Sequence, residues 1–288
     1  MKLGMIGCGN MGGGMTAQLL KCGQDVRCYD PDPNVLGRMK ALGAISLASA
    51  PDLAKDCDRI ILSLPKAAVV RAVMIEIASS IQLNSVVLDT STSEPETSQE
   101  MSALGVAKGF AFVDGPVSGG PMAAHAGSMT MLLGGDGDAI KRLEPVTDLL
   151  TAKTVVVGGS GAGHAAKIAN NMLCAANLVL VAEAVRLGKA AGIEAENLLE
   201  GINAGSGRSG VSEVNFPKWV LNGAFDSGFS MGLMRKDVSL AMELAKHMDV
   251  DLNGFARIAD IWLESSKQIP DAADFNEITA YDGKGLTP

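Results

Sequence analysis

The sequence predicts a doubly wound α/β half followed by an all-helical half, the two sharing one long helix. Three observations carry this prediction. Up to about residue 158, short apolar runs alternate with helical stretches, the pattern of a mostly parallel sheet covered on both faces. After Gly192 only helical periodicity remains. Between the halves, Gly161–Gly192 (GAGHAAKIANNMLCAANLVLVAEAVRLGKAAG) is bounded by glycines and holds nothing that breaks a helix. It allows about 28 helical residues, roughly 40 Å at 1.5 Å per residue. The boundaries expected are 1–161 for the α/β domain and 162–288 for the helical domain, with the shared helix at about 162–191.

The first elements carry the first motif. Lys2–Ile6 is a short apolar strand that stops at Gly7-Cys8-Gly9-Asn10-Met11-Gly12, a GxGxxG turn. A helix over Met11–Lys21 and a strand over Asp25–Tyr29 follow, the latter ending at Asp30. This strand–turn–helix–strand–acid order marks a Rossmann-type dinucleotide site. Gly7 permits the tight turn, Gly9 lets a pyrophosphate approach the backbone, and Gly12 lets the helix pack on the strand. The helix start, from Asn10 and Met11 onward, offers unpaired N–H groups to the anion. Asp30 is spaced to accept hydrogen bonds from the adenosine ribose, and its charge repels a 2′-phosphate. Pro31-Asp32-Pro33 supplies no cation, so NAD is expected over NADP, with Arg27 and Arg38 the residues that argue otherwise.

The alternation continues along the chain. Strands are expected at Gly43–Ser46, Arg59–Leu64, Ser85–Leu88, Phe110–Asp114, Ser128–Leu133 and Thr154–Val157. Helices are expected at Pro51–Asp56, Lys66–Ser79, Glu94–Ala107 and Gly137–Leu150. Ligands of such sheets bind beyond the carboxyl ends of strands, where Leu64-Pro65, Ser91-Thr92 and the loop from Pro116 to Gly120 fall. In that last loop Ser118, Gly119 and Gly120 give a hydroxyl and consecutive flexible N–H groups, a nest suited to a carboxylate. A flexible, glycine-rich join, Gly158–Gly161, then leads into the long helix.

Apolar residues cover nearly every side of that helix (Ile168, Met172, Leu173, Leu178, Val179, Val181, Val185, Leu187), which predicts burial all round. Its first turns nevertheless carry Lys167, Asn170 and Asn171. Lys167 and Asn171 are four apart and share a face. A lysine near a helix start is either a snorkelling side chain or a functional one. Beyond Gly192, helices are expected at Glu196–Asn203, Phe216–Asn222, Met231–Met248 and Gly254–Lys267, with Arg208 in a loop.

Composition narrows the functional classes. With 47% hydrophobic and 19% charged residues, the 288-residue chain is an ordinary globular protein of one large or two smaller domains. A net charge of −8 without a basic run argues against nucleic acid and anionic membrane as partners. No 18-residue charge-free apolar run occurs, so no membrane span is expected. Five scattered cysteines without a CxxC, and three histidines without ligand spacing, point to no metal site and to reduced thiols in the cytoplasm. The opening MKLGMIGC is too short an apolar run for a secretory signal.

Four stretches in register give the chain its resemblance to the β-hydroxyacid dehydrogenase family: Gly7–Met15 (GCGNMGGGM), Asp114–Gly120 (DGPVSGG), Gly161–Asn171 (GAGHAAKIANN) and Lys236-Asp237 within GLMRKDVSLA. The resemblance spans essentially the whole chain; Gly115 departs from it, where alanine is usual. It implies Lys167 as general acid/base and Asn171 as the residue orienting substrate or lysine. It implies that Ser118, Gly119 and Gly120 hold the substrate carboxylate, and that Phe229 and Asp237 shape the substrate end. Thr92 and Lys236 would touch the cofactor near the nicotinamide, and Leu64-Pro65 would line its adenine side. It also implies a homodimer or homotetramer. The expected reaction is interconversion of a short 3-hydroxy acid, such as 3-hydroxyisobutyrate, with its semialdehyde or ketone. Burial in an apolar helix is expected to lower the lysine from its ordinary value of about 10.4. The alternatives are a reductase of a tartronate-, succinate- or sulfolactaldehyde-like semialdehyde, an imine reductase, a 6-phosphogluconate dehydrogenase and a non-catalytic cofactor-binding protein. The phosphorylated substrate would need basic residues, for which Arg208, Lys218 and Arg235 are the candidates.

Overall fold

The protein is described by a computed structural model covering residues 1–281. The last part of the expected helical domain, 282–288, lies outside the described residues. Two compact units are present, Met1–Lys167 and a second beginning at Ile168.

The first unit runs β1 (Leu3–Ile6), α1 (Asn10–Lys21), β2 (Val26–Tyr29), α2 (Pro33–Ala41), β3 (Ile45–Ser46), α3 (Ala50–Asp56), β4 (Arg59–Leu62), α4 (Ala67–Ile77) and β5 (Val86–Asp89). It continues with α5 (Pro95–Lys108), β6 (Ala111–Asp114), β7 (Val117–Ser118), α6 (Gly120–Ala126), β8 (Met129–Gly134), α7 (Gly137–Leu150) and β9 (Thr151–Gly158). The strand order is β3-β2-β1-β4-β5-β6-β8-β7, with β9 paired to β8. All pairs from β3 to β6 are parallel; β8 is antiparallel to β6 and β7 and parallel to β9. Strand β1 lies between β2 and β4, so the winding reverses there, and the glycine turn sits at that switch point.

Successive strand residues face opposite sides of the sheet. Met5, Ile61, Leu88 and Val113 pack on one face with Met15 and Leu19 of α1 and Leu143 of α7. Ile6, Ile60, Leu62, Val87 and Phe112 pack on the other with Leu53 of α3, Met74 of α4 and Met101 of α5. Burial on both faces is why these strands read as continuous apolar runs rather than alternating ones.

Three local features depart from the expectation. Helix α2 forms where no element was expected: Asp32 caps it through Asn34 N–H and Pro33 fits the first turn, although only Met39 is buried. The Ser118 loop is not irregular but contains β7 and α6. The join before the long helix is fixed, because a Cβ at Gly161 would lie 2.8 Å from the Pro95 carbonyl oxygen. The Gly161 N–H also donates to Asp114 Oδ1 at 2.7 Å.

Helix α8 (Ala162–Ala190) is 29 residues long. It is not buried all round: Leu173, Leu180 and Leu187 are 58%, 51% and 73% exposed. By length and composition it is apolar enough to cross a membrane. In the second unit its other face packs into the core instead, through Ala175, Leu178, Val179 and Ala182.

The second unit adds α9 (Ala195–Ala204), a wide helix over Val211–Val220, α10 (Met231–His247), α11 (Asn253–Glu264) and short tight turns at Ser265–Lys267 and Phe275–Ala280. The wide helix starts earlier than the expected Phe216. Pro217 lies inside it without an N–H to donate, and Leu221 N–H reaches five residues back to Phe216 O at 2.9 Å. Trp262 is fully buried, and its indole N–H donates to Ala175 O of α8 at 3.1 Å. Arg235 is the polar centre of this unit. Its guanidinium donates to Trp262 O, Ser265 Oγ, Ile269 O and Asp271 Oδ1, fixing α10 against the chain that follows α11.

Candidate active site

The three glycines of the first turn differ in what surrounds them. Gly7 has φ +85°, which L side chains rarely adopt, and a Cβ there would collide with Ser63 O. A Cβ at Gly12 would collide with the Gly7 carbonyl oxygen. A Cβ at Gly9 would meet nothing within 4 Å, so that side of the backbone faces open space. Among the described residues no side chain caps α1, leaving its first amides, from Asn10 and Met11, for a ligand. An open glycine beside an uncapped helix start fits the pyrophosphate of a dinucleotide.

Asp30 lies beside this turn. Its Oδ2 accepts the Cys8 N–H at 2.8 Å and its Oδ1 the Asp32 N–H at 2.9 Å. Each carboxylate oxygen keeps a second lone pair for a ribose hydroxyl. Arg27 is engaged with Asp56 at 2.9 Å, whereas Arg38 is exposed at the end of α2.

Leu64 and Pro65 follow β4, and Thr92 follows β5. The two loops are tied together: Leu64 N–H donates to Ser91 Oγ at 3.0 Å, and Ser91 N–H to Asp89 Oδ1 at 3.0 Å. Burial pushes the Asp89 carboxyl up, and nearby His164 and the Ser91 hydrogen bonds oppose that rise.

Lys167 and Ser118 meet. Lys167 is buried, and its Nζ donates to Ser118 Oγ at 2.8 Å across 49 residues of sequence. Gly119 and Gly120 follow with φ +121° and +68°, so consecutive amides turn beside the hydroxyl. At Gly115, where the resemblance departs, a Cβ would lie 2.6 Å from Leu88 Cδ1, so an alanine there needs that side chain to shift.

Two residues not expected from the sequence build the start of α8. Asp114, fully buried at the end of β6, accepts Gly161 N–H through Oδ1 at 2.7 Å and His164 N–H through Oδ2 at 3.1 Å. His164, also fully buried, reaches Ser98 Oγ from Nδ1 at 2.8 Å and Ser91 O from Nε2 at 3.0 Å. The available signal was two apolar strands, VVLD and AFVD, that each end in an acid. Their register makes Asp89 and Asp114 neighbours.

In the second unit, Asn171 Nδ2 donates to Asp237 Oδ2 at 2.6 Å, and both side chains are buried. Lys236 Nζ lies 3.3 Å from Asp237 Oδ1. Phe229 stacks edge-on to Phe275, ring centres 5.2 Å apart. Among the basic residues considered for a phosphate, Arg235 is consumed by interior hydrogen bonds. Lys218 lies over the Trp219 ring, and Arg208 is a mostly exposed loop charge 3.6 Å from Glu213.

A doubly wound sheet with an open glycine turn, and a lysine–serine pair beyond its strand ends, define a nicotinamide-dinucleotide oxidoreductase. Residues 2–159 match the NAD binding domain of 6-phosphogluconate dehydrogenase, and residues 161–281 match the NAD-binding domain of NADP-dependent 3-hydroxyisobutyrate dehydrogenase. The chain is 35% identical to the 2-(hydroxymethyl)glutarate dehydrogenase of Eubacterium barkeri, over 88% of this chain and 85% of that one. It is 33% identical to the NAD-dependent L-serine dehydrogenase of Pseudomonas aeruginosa, over 85% of each. The solved 3-hydroxyisobutyrate dehydrogenase of Mycobacterium tuberculosis with L-serine superposes with a TM-score of 0.90 at 31% identity, covering 96% of this chain and 97% of that one. The protein belongs to the β-hydroxyacid dehydrogenase family and is a dehydrogenase acting on the hydroxyl group of hydroxy acids.

Proposed function

We propose that the protein interconverts a short 3-hydroxy acid and its semialdehyde, with NAD as cofactor and Lys167 as general acid/base. The observation that carries this reading is the hydrogen bond from Lys167 Nζ to Ser118 Oγ at 2.8 Å, beside the turned amides of Gly119 and Gly120. A carboxylate on those amides and the Ser118 hydroxyl brings the carbon bearing the substrate hydroxyl beside the lysine amine. Lys167 then takes the hydroxyl proton in oxidation and returns it in reduction. When bound, the nicotinamide supplies the hydride chemistry. Gly7, Gly9, Asn10, Met11 and Gly12 hold its pyrophosphate, with Asp30 at the ribose, Leu64 and Pro65 at the adenine, and Thr92 and Lys236 near the nicotinamide. Asn171, Phe229 and Asp237 complete the substrate contacts.

The substrates named for the three relatives support the class. 3-Hydroxyisobutyrate, 2-(hydroxymethyl)glutarate and L-serine each carry a hydroxymethyl group on the carbon next to a carboxylate, and differ only in the other substituent there. The preference for NAD rests on Asp30 and on Arg27 being engaged by Asp56. Residues 1–161 serve as the dinucleotide-binding domain, and 162–288 as the substrate and oligomerisation domain. The exposed Leu173, Leu180 and Leu187, seven apart along α8, support a homo-oligomer. The buried thiols Cys8, Cys28 and Cys57 form no disulfide, which supports a reducing, cytoplasmic setting.

The test is reduction of NAD and of NADP with 3-hydroxyisobutyrate, 3-hydroxypropionate, glycerate and serine, repeated with Lys167→Ala. Turnover is expected to fall about 100- to 10,000-fold in the variant. A folded Lys167→Ala enzyme with near-normal turnover would overturn the assignment of the lysine. Cofactor binding without turnover across the panel would overturn the substrate class.

A further inference from the structure

His164 touches none of the groups assigned above to substrate or cofactor, yet it connects most of the segments that carry them. It is fully buried. Its Nε2 lies 3.0 Å from the Ser91 carbonyl oxygen, which only accepts, so Nε2 carries a proton. In that tautomer Nδ1 is the acceptor, and Ser98 Oγ–H donates to it at 2.8 Å. Ser91 is bonded to Leu64 N–H through its hydroxyl and to Asp89 through its own N–H. The His164 backbone N–H is held by Asp114. One residue thus joins the loops after β4 and β5, the end of β6 and the body of α5 to the first turn of α8. Lys167 stands three residues further along that helix, on a neighbouring part of its face.

We propose that His164 is a positioning residue for Lys167. Its ring, set as the Nε2–H tautomer by the Ser91 carbonyl and tethered at Nδ1 by Ser98, fixes the rotation of the first turn of α8 against the Ser91-Thr92 loop, and so sets where the lysine amine stands relative to Ser118. Without the ring, the helix start keeps its Asp114 cap but loses its side-chain tether to β5 and α5. A displacement of about 1 Å in a reacting group costs on the order of 100-fold in rate. The proposal rests on the reading of Lys167 as acid/base.

The experiment compares His164→Gln, His164→Leu and Ser98→Ala with the wild type and Lys167→Ala, well below their melting temperatures. It reads kcat, the substrate KM, cofactor affinity from NADH fluorescence, and the melting temperature. Glutamine still reaches Ser91 O with an N–H; leucine does not. His164→Leu is expected to lose about 10- to 100-fold in kcat with KM changed little, and His164→Gln to recover most of that loss. Ser98→Ala removes the tether of the ring to α5 and is expected to lose kcat in the same direction by several-fold. A folded His164→Leu enzyme within twofold of wild-type kcat overturns the proposal, and so does a glutamine variant no better than the leucine one. If His164→Leu does not fold, the remaining pair decides: Ser98→Ala at wild-type kcat overturns positioning, and reduced kcat with unchanged KM supports it. Lys167→Ala separates the two readings: normal turnover there refutes the acid/base assignment and the positioning proposal with it, whereas a loss there beside wild-type kcat in His164→Leu overturns positioning alone.

Discussion

Replacing Asp114 with alanine tests how the start of α8 is held. The carboxylate is fully buried and accepts two backbone N–H groups, from Gly161 at 2.7 Å and His164 at 3.1 Å. Glycine backbone encloses it: Cβ atoms at Gly134 and Gly163 would lie 2.7 and 2.8 Å from Oδ2. Hydrogen bonds to a charged group contribute about 1.5–3 kcal/mol each, so the two together are worth about 3–6 kcal/mol. Relief of the buried charge offsets part of this, leaving an expected loss of about 3 kcal/mol. For a unit of this size about 1 kcal/mol shifts the melting temperature by about 2–4 °C, giving a fall of about 6–12 °C. Asp114→Asn should do little better, because its NH₂ would face one of the two N–H donors. Urea denaturation with an unchanged slope, and a thermal melt, measure the effect. A loss below about 1 kcal/mol for Asp114→Ala would refute the view that this carboxylate caps the helix.

The glycine turn makes a paired prediction. Gly9→Ala should leave the melting temperature of the cofactor-free protein unchanged but remove the stabilisation added by NADH, since its Cβ meets nothing until a ligand arrives; Gly12→Ala should lower both, because its Cβ collides with Gly7 O. Leu180→Glu, which places a charge in the exposed leucine row, should lower the oligomeric mass seen by light scattering while each chain stays folded. Asp56 responds to pH. Hydrogen bonds from Lys2 and then Arg27 hold its carboxyl below the ordinary range, so its contribution is present above the unfolded value of about 3.9 and is lost as pH falls through the folded one. The stability difference between wild type and Asp56→Asn should therefore be constant from neutrality to about pH 5 and vanish in stronger acid.

The sheet was legible because burial on both faces writes each strand as an unbroken apolar run, and because glycine marks the turn at the switch point. Helix α2 was not, since nine residues with only Met39 buried leave no periodic face to read. The short β7 and α6 were hidden by Gly119-Gly120-Pro121, which reads as a turn although the proline fits a helix start. Pro217 led the wide helix to be read as beginning at Phe216, when its widened turns accommodate the missing N–H. The exposure of Leu173, Leu180 and Leu187 escaped detection because hydrophobicity alone does not distinguish a core face from a surface one. Local motifs singled out Lys167 and Ser118 separately. His164 and Asp114 lie within such motifs, but their roles depend on partners 47 to 73 residues away in sequence.

Those long-range partners tie the start of α8 to the ends of two strands. β5 and β6 end side by side in Asp89 and Asp114, two fully buried acids whose proximity raises the cost of charging both. Asp114 is satisfied by the start of α8. Asp89 receives the Ser91 N–H on one oxygen, while the other makes no hydrogen bond among the described residues and lies 3.9 Å from His164 Nε2. Burial accordingly pushes Asp89 up, and the histidine opposes it. An apolar pair at the same two positions would spare that cost but leave the amides of Gly161 and His164 without acceptors. The acids therefore exchange sheet stability for a helix whose first turn is held in position by hydrogen bonds from Gly161 N–H and His164 N–H. Lys167 inherits that position, so the precision of the proposed proton transfer originates at the ends of two strands rather than in the lysine itself.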